Sequence, residues 1–326
     1  MSVNSNKNDN PLVSVLIPCY NHQLFISDCL NSVIAQTYKN IEVIILDDCS
    51  TDDSFLVLKQ WESKLRERFS RVIIEKNPEN LGITKNLNKL VQYAKGDYLK
   101  PMASDDMLVP TCIEDLVLLA NQGCDLVHSD AFVVKGEVHW ENIDHSKFTK
   151  YGKVIPSDTS GLTNTLLREF FICAPTILYP RCTFEKYGLF DTSLSFEDWE
   201  YCLRVSTNGT IFYLDKPCVY YRYLQESASH FIDSEESRKK NKRFYIEKKK
   251  VFNTYKEYAD QSTEIVFYNK QLAAAIVLYD KELAKEIVDE MKQKSIRIEF
   301  SNKVRIFLFK TGIYSAAKKM KHILKR

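Results

Sequence analysis

No run of about 18 consecutive apolar residues occurs in this 326-residue sequence, so no membrane-spanning helix is expected. Cys-x-x-Cys spacing is missing as well. The nine cysteines (19, 29, 49, 112, 124, 173, 182, 202 and 218) are odd in number and scattered, which speaks against a zinc site or a disulfide framework and for a reducing cytoplasm. Residues 1–10 are polar and Asn-rich, without the apolar core of a signal peptide, and are expected to form a flexible N-terminus. Internal repeats are absent, and the one biased tract, Arg238 to Lys250, reads as a solvated helix face. A large excess of charge is lacking too: the net charge is +2, and the basicity is local, in Lys303, Arg305, Lys310, Lys318, Lys319, Lys321, Lys325 and Arg326, with no acid after Glu299. These clusters lie on late helices without an aromatic-rich sheet signature, so no nucleic-acid partner is expected. What is present, 44% hydrophobic content over this length, is enough to bury a sizeable core.

The apolar pattern sets the fold class. Val13 to Ile17 and Ile41 to Leu46 are short, nearly continuous β-branched runs, separated by a helical pattern through Phe25, Cys29, Leu30, Val33 and Ile34. That is a βαβ unit with buried parallel strands. A helix from about Asp52, a strand at Val72 to Glu75, a helix at Ile83 to Ala94 and a strand at Asp97 to Lys100 continue the alternation. A helix over 110–121 and a strand over 125–134 follow, and regularity then declines through residues 136–159. From about Ser234 onward the pattern is helical, without Pro and with Gly312 alone, which places a domain boundary near 230.

In open parallel sheets ligands gather at the carboxyl ends of strands, and four such ends are polar here. At the first, Pro18-Cys19-Tyr20-Asn21, Tyr20 can lie against a flat base or simply pack, and Asn21 can hold the turn or cap the next helix. At the second, Asp47 to Asp52, Ser50 or Thr51 is the expected N-cap, while Asp48 can accept a hydrogen bond from a base imide or a ribose hydroxyl. The third, Asn77 to Gly82, runs into a helix carrying Lys85 and Asn86, from which a cation can reach a diphosphate. Ser104-Asp105-Asp106 closes the fourth. Its hard oxygen donors suit Mg²⁺ or Mn²⁺, ions that take one or two protein carboxylates and leave other positions to water and substrate phosphates. A nucleotide diphosphate is therefore the first ligand to expect. Ser129-Asp130, read as a strand end, Ala174-Pro175-Thr176 and residues 136–159 are expected to shape the donor-sugar and acceptor sites.

In order, these segments resemble the nucleotide-sugar domain of glycosyltransferase family 2, the inverting GT-A enzymes. The resemblance is carried by Val13 to Asn21, Gln36-Thr37-Tyr38, Val43 to Ser54, Asn80 to Asn86, Gly96-Asp97-Tyr98 and Ser104-Asp105-Asp106. It continues through Lys186 to Asp191, Glu197-Asp198-Trp199-Glu200 and Leu203-Arg204-Val205 to Tyr220-Tyr221-Arg222. It implies an α/β GT-A fold, a Rossmann-like, mostly parallel sheet flanked by helices over about 11–230. The nucleotide-sugar half would take about 11–135, the acceptor half about 136–230, and a helical, basic region 231–326. It also implies metal-dependent, inverting transfer of a hexose or N-acetylhexosamine from a UDP-sugar to a hydroxyl of a glycan acceptor, with Mn²⁺ or Mg²⁺ as cofactor. Position by position, Asp48 matches the carboxylate that contacts uracil. Pro18, Tyr20, Asn21, Lys85 and Ser104 line the nucleotide-sugar site. Asp105 and Asp106 are the acidic pair, one for ribose and one for metal, and Asp198 matches the base. Glu197, Trp199, Arg222 and His230 are secondary candidates.

The sequence departs from the family pattern at Cys49, where Gly is common, at Lys85, where Arg is frequent, and at Ala103, where many members have a further Asp. After Tyr221-Arg222 it has Tyr223-Leu224 where many members place a His, and reaches a histidine only at His230. Beyond the resemblance, Val304, Ile306, Phe307, Phe309, Ile313, Tyr314, Ala317, Met320 and Ile323 interleave with the basic residues at helical spacing. Such a helix can lie on a membrane surface or pack on the catalytic domain with a basic solvent face. On the first alternative the acceptor is a lipid-linked glycan of bacterial capsule or O-antigen synthesis, and the protein is peripheral on the inner face of the membrane. Two other classes compete. A nucleotidyltransferase would open with a Gly-rich phosphate loop, which residues 14–22 lack; a non-catalytic nucleotide-sugar-binding module would have lost Asp105, Asp106 or Asp198.

Overall fold

The β-branched runs form the strands that their composition calls for. In the computed structural model, which describes residues 10–135, 159–223, 235–277 and 280–310, they alternate with helices as β1 (Val13–Cys19), α1 (Ile26–Ile34), β2 (Ile41–Asp47), α2 (Ser54–Arg68), β3 (Val72–Lys76), α3 (Ile83–Tyr93) and β4 (Tyr98–Pro101). Next come β5 (Met107–Leu108), α4 (Cys112–Ala120), β6 (Leu126–Lys135), α5 (Thr159–Arg168), β7 (Tyr179–Pro180), α6 (Arg181–Tyr187), α7 (Asp198–Asn208) and β8 (Ile211–Tyr223). The main sheet has the order β3-β2-β1-β4-β7 and is parallel except for β7. This is the mixed α/β fold expected. Val13, Val15, Leu16, Ile17 and Val43 to Leu46 are wholly buried because helices cover both faces of the sheet.

Strand order decides where a ligand can sit. From β1 the chain steps outward to β2 and β3, then crosses back to β4 on the other side of β1, so the carboxyl ends of β1 and β4 flank a topological switch point. At the opposite end of these strands the chain is pinned by Gly96, where a Cβ would come within 2.6 Å of Ser14 N, so only glycine fits. The Gly96 amide donates to Ser14 Oγ (2.8 Å) and to Glu42 Oε1 (3.1 Å). Burial works against charge on Glu42, but hydrogen bonds from Ser14, the Lys95 amide and Arg71 outweigh it and hold the carboxyl below its ordinary range.

A second, three-stranded sheet has the order β5-β8-β6, with β5 antiparallel and β6 parallel to β8. Ser129 and Asp130 are not at a strand end. They lie in the middle of β6 at a bulge, buried, with Asp130 Oδ2 accepting from Tyr213 Oη (2.7 Å); the bulge re-aims the backbone and lets the strand run on to Lys135.

The chain divides into two units, residues 1–162 with 170–225 and residues 163–169 with 226–326. The second is built from α8 (Glu235–Thr254), α9 (Gln261–Val277), α10 (Lys281–Gln293) and α11 (Phe300–Lys310). Phe252 stacks on Phe267 with ring centroids 3.9 Å apart, Tyr268 donates to Glu290 (2.6 Å), and Asn302 Nδ2 donates to the Asn269 carbonyl (2.8 Å). Asp280 caps α10 by accepting from the Leu283 amide (2.9 Å). The expected basic amphipathic run begins in α11, where Phe300, Val304 and Phe307 are exposed; residues 311–326 and His230 lie outside the described residues. Among the described residues no helix is long and apolar enough to cross a membrane, and all nine cysteines are free.

Candidate active site

The first two polar strand ends are tied to each other. Asn21 adopts a left-handed conformation (φ 54°), which Asn tolerates better than most residues, and its Oδ1 accepts from the Thr51 amide (2.8 Å). In return the Asn21 amide donates to Ser50 Oγ (3.0 Å). The expected helix cap at Ser50 or Thr51 is therefore not formed. α2 starts at Ser54, whose amide donates to Asp52 Oδ1 (2.9 Å), because the hydroxyl of Ser50 is spent on the neighbouring loop. Tyr20 stands exposed on this rim, with its ring available to a flat ligand.

Asp48 organises the third loop. Its Oδ1 accepts from Asn77 Nδ2 and the Leu81 amide, and its Oδ2 from the Gly82 amide, each at 2.9 Å. Gly82 has φ 79°, a conformation that favours glycine, and it leads directly into α3. Lys85, one turn into that helix, is exposed and has no ion pair among the described residues.

The fourth end splits its two acids. Asp106 is buried, its Oδ1 accepts from the backbone amide of Arg222 on β8 (2.8 Å), and burial first, then the neighbouring Asp105, push its carboxyl well above the ordinary range. Asp105 stays partly exposed, and its carbonyl accepts from Arg222 Nε (2.9 Å). The Arg222 guanidinium, itself buried, also donates to Asp28 Oδ2 (2.9 Å) and lies 4.9 Å from the Phe25 ring. Arg222 thus holds the acidic turn from behind. Ser104 is buried, with Oγ 2.7 Å from His22 Nδ1, and that nitrogen is 3.9 Å from Asp105 Oδ1.

A small open cleft runs from these strand ends to the start of α7. Pro18, Ala103, Ala174, Pro175, Glu197 and Asp198 are among the residues that line it. The carboxylate pair sits at the N-terminus of α7, where the helix dipole favours negative charge, and the Trp199 amide donates to Asp198 Oδ1 (2.7 Å). Trp199 is buried beneath them. Burial first, and the adjacent Asp198 carboxylate second, push Glu197 up to about 8.

Of the expected residues, Pro18, Glu197 and Asp198 line the cleft itself; Tyr20, Asn21, Ser104 and Asp105 lie at the strand ends of the switch point, Asp48 directly after β2 and Lys85 on α3. His22 was missed, although it directly follows the Asn21 turn. The residues present fit a divalent ion that keeps most of its positions for other ligands. Among the described residues no three His, Cys, Asp or Glu surround one point, and Asp105, Ser104 and His22 offer a small donor set of the kind completed by a diphosphate.

Known proteins bear on this arrangement. A family model described as Glycosyl transferase family 2 matches residues 14–188. An uncharacterized glycosyltransferase of Rickettsia typhi is 30% identical over 203 residues, 61% of this chain and 60% of its own length, so this chain spans about three-fifths of that relative. TuaG of Bacillus subtilis, named as a glycosyltransferase of teichuronic acid biosynthesis, is 42% identical over 99 residues, 30% of this chain and 38% of its own. The structure of Staphylococcus aureus TarS 1–349 in complex with UDP-GlcNAc superposes with a TM-score of 0.57 at 17% identity, covering 88% of this chain and 93% of that one, and shows the likeness of fold.

Proposed function

Because this chain belongs to glycosyltransferase family 2, we propose that it moves a hexose or N-acetylhexosamine from a UDP-sugar to a hydroxyl of a glycan acceptor, with inversion at the anomeric carbon. The observation that carries this reading is that Glu197 and Asp198 line one cleft with Pro18 and Ala103, and that Ser104 and Asp105 directly follow Ala103 in the chain. This supports a donor site at the strand ends with a base nearby.

Tyr20 offers its face to the uracil, and the Asp48 loop closes over the nucleoside side. Lys85, exposed and unpaired among the described residues, is free to meet a diphosphate oxygen. Asp105, with Ser104 beside it, would hold a divalent cation, Mn²⁺ or Mg²⁺, which when bound neutralises charge on the diphosphate. Burial first, and then the Asp198 carboxylate, raise Glu197 to about 8, which favours its protonated form at neutral pH. Asp198 then takes the proton of the acceptor hydroxyl as its oxygen bonds to the anomeric carbon, while the bond from that carbon to the diphosphate oxygen breaks on the opposite face and UDP leaves with the electron pair. Positioning the hydroxyl, the carboxylate and the leaving group in line is what produces inversion.

The likeness to TuaG, named for teichuronic acid biosynthesis, supports an acceptor in bacterial polysaccharide synthesis; a lipid-linked glycan is the form we propose for it. A screen of UDP-sugars, each with Mn²⁺ or with EDTA, read as release of UDP and as glycosylated product, tests donor and metal together. The reading expects turnover with one or a few donors, loss in EDTA, and loss in Asp198→Asn with UDP binding retained. Normal transfer by Asp198→Asn would remove it as the base. UDP binding without any turnover would instead favour a non-catalytic binding module.

A further inference from the structure

Resting on the donor site just described, we propose that His22 is a protein ligand of the divalent cation, so that the ion is held by an imidazole nitrogen together with the Asp105 carboxylate. His22 is the third residue after β1 ends, and Ser104 and Asp105 follow β4, so the three bridge the switch point between the two strands. Its position is fixed from several sides. The His22 amide donates to Ser54 Oγ (2.8 Å), and the ring meets Phe25 edge to face with centroids 5.9 Å apart. The side chain stays 27% exposed, on the side from which a donor would enter.

Distances favour a shared ion. Two atoms bound to one cation at about 2.1 Å each stand about 3.0 Å apart at a right angle and about 4.2 Å apart in line. His22 Nδ1 and Asp105 Oδ1, at 3.9 Å, stand between those two values, so a small rotation of either side chain brings both to one ion with the backbone in place. Ser104 Oγ, 2.7 Å from Nδ1, lies beside the same point. Asp106 is engaged elsewhere, by the Arg222 amide, and Ala103 contributes no donor. Without His22 the turn would offer Asp105 and a hydroxyl only. With it the donor set is mixed nitrogen and oxygen, which shifts preference from Mg²⁺ toward first-row transition ions such as Mn²⁺.

The test measures Mn²⁺ binding to the full chain in the presence of UDP, by the free-ion electron paramagnetic resonance signal, with Mg²⁺ as competitor and UDP affinity measured separately in EDTA. Wild type, His22→Ala and His22→Asn are compared, with thermal melts to establish folding. Since loss of a group that only supports a ligand weakens metal binding about 10–100-fold, His22→Ala should lower Mn²⁺ affinity by at least about tenfold. Mg²⁺ affinity should fall less, and UDP affinity in EDTA should be unchanged. His22→Asn, which keeps a hydrogen bond to Ser104 within reach, should lose Mn²⁺ affinity in the same direction, and it carries the test if His22→Ala does not fold. Equal Mn²⁺ affinity in all three proteins overturns the proposal, as does full recovery in His22→Asn. A fall in UDP affinity that is the same with and without cation also overturns it, because the ring would then be touching the nucleotide. Failure of wild type to bind UDP at all refutes the donor reading itself, and the His22 assignment falls with it.

Discussion

Replacing Asp48 separates two roles that its position would otherwise confound. As a contact to uracil alone, the carboxylate should be dispensable in the absence of nucleotide. In the structure it is buried and accepts from Asn77 Nδ2, the Leu81 amide and the Gly82 amide, so Asp48→Ala removes three hydrogen bonds, although the Gly82 amide keeps Asn80 Oδ1 (3.0 Å) and Asn77 Nδ2 keeps Asn86 Oδ1 (3.0 Å). A hydrogen bond to a charged group contributes about 1.5–3 kcal/mol, and an orphaned buried donor costs about 1–3 kcal/mol. Leu81 and Gly82 are only half-buried, so water can reach them and part of that cost is recovered. A net loss of about 3–5 kcal/mol follows, which in a domain of this size lowers the melting temperature by roughly 10 °C. Asp48→Asn should fall between the two, since one oxygen remains while an amide N–H faces a backbone N–H. The assay is thermal and urea unfolding of the nucleotide-free protein in EDTA, followed by UDP titration of whatever folds. Unfolding of Asp48→Ala within about 0.5 kcal/mol of wild type would refute the loop-holding role.

Arg222→Met should destabilise the protein by about 2–4 kcal/mol in urea melts, since it leaves Asp28 and the Asp105 carbonyl without a partner while preserving volume; a change under about 0.5 kcal/mol would show that the guanidinium does not hold the acidic turn. Glu197 supplies a pH signature. Its folded pKa, about 8, lies above the ordinary value of 4.5, so between those values the folded state binds the extra proton and stability declines as pH rises. Glu197→Gln should remove that decline, raising stability relative to wild type toward pH 8, as read by melts across pH 5–8; parallel profiles for the two proteins would mean that the carboxyl is not held neutral.

Much of the fold could be read in advance because its signals are local. Val13 to Ile17 and Ile41 to Leu46 are too short and too β-branched to be anything but buried strands, and the intervening helix shows its period in Cys29, Leu30 and Val33. The polar strand ends are legible for the same reason, as hydrophilic residues cut into apolar runs. What could not be read is what depends on distant partners. That Asp105 stays partly exposed while Asp106 is buried is set by β5, whose Met107 pairs with Tyr220 and so brings the Arg222 amide to the second acid. Lys100 is wholly buried and donates to the carbonyls of Pro101 and Pro175, which a single strand's pattern does not reveal. His22 carries no pattern of its own; the crossover that puts β4 beside β1 is what brings Ser104 and Asp105 to its ring.

The clasp between Arg222 and the acidic turn also has a consequence for how the molecule is made. Asp106 and Arg222 are 116 positions apart, so a nascent chain that has emerged through β4 carries the donor-binding loops but not the strand that fixes them. The loop-closure entropy of that contact is met only once β8 has left the ribosome. Until then the acidic turn lacks the backbone amide and the guanidinium that hold it, and a chain truncated before β8 leaves that strand end unfixed.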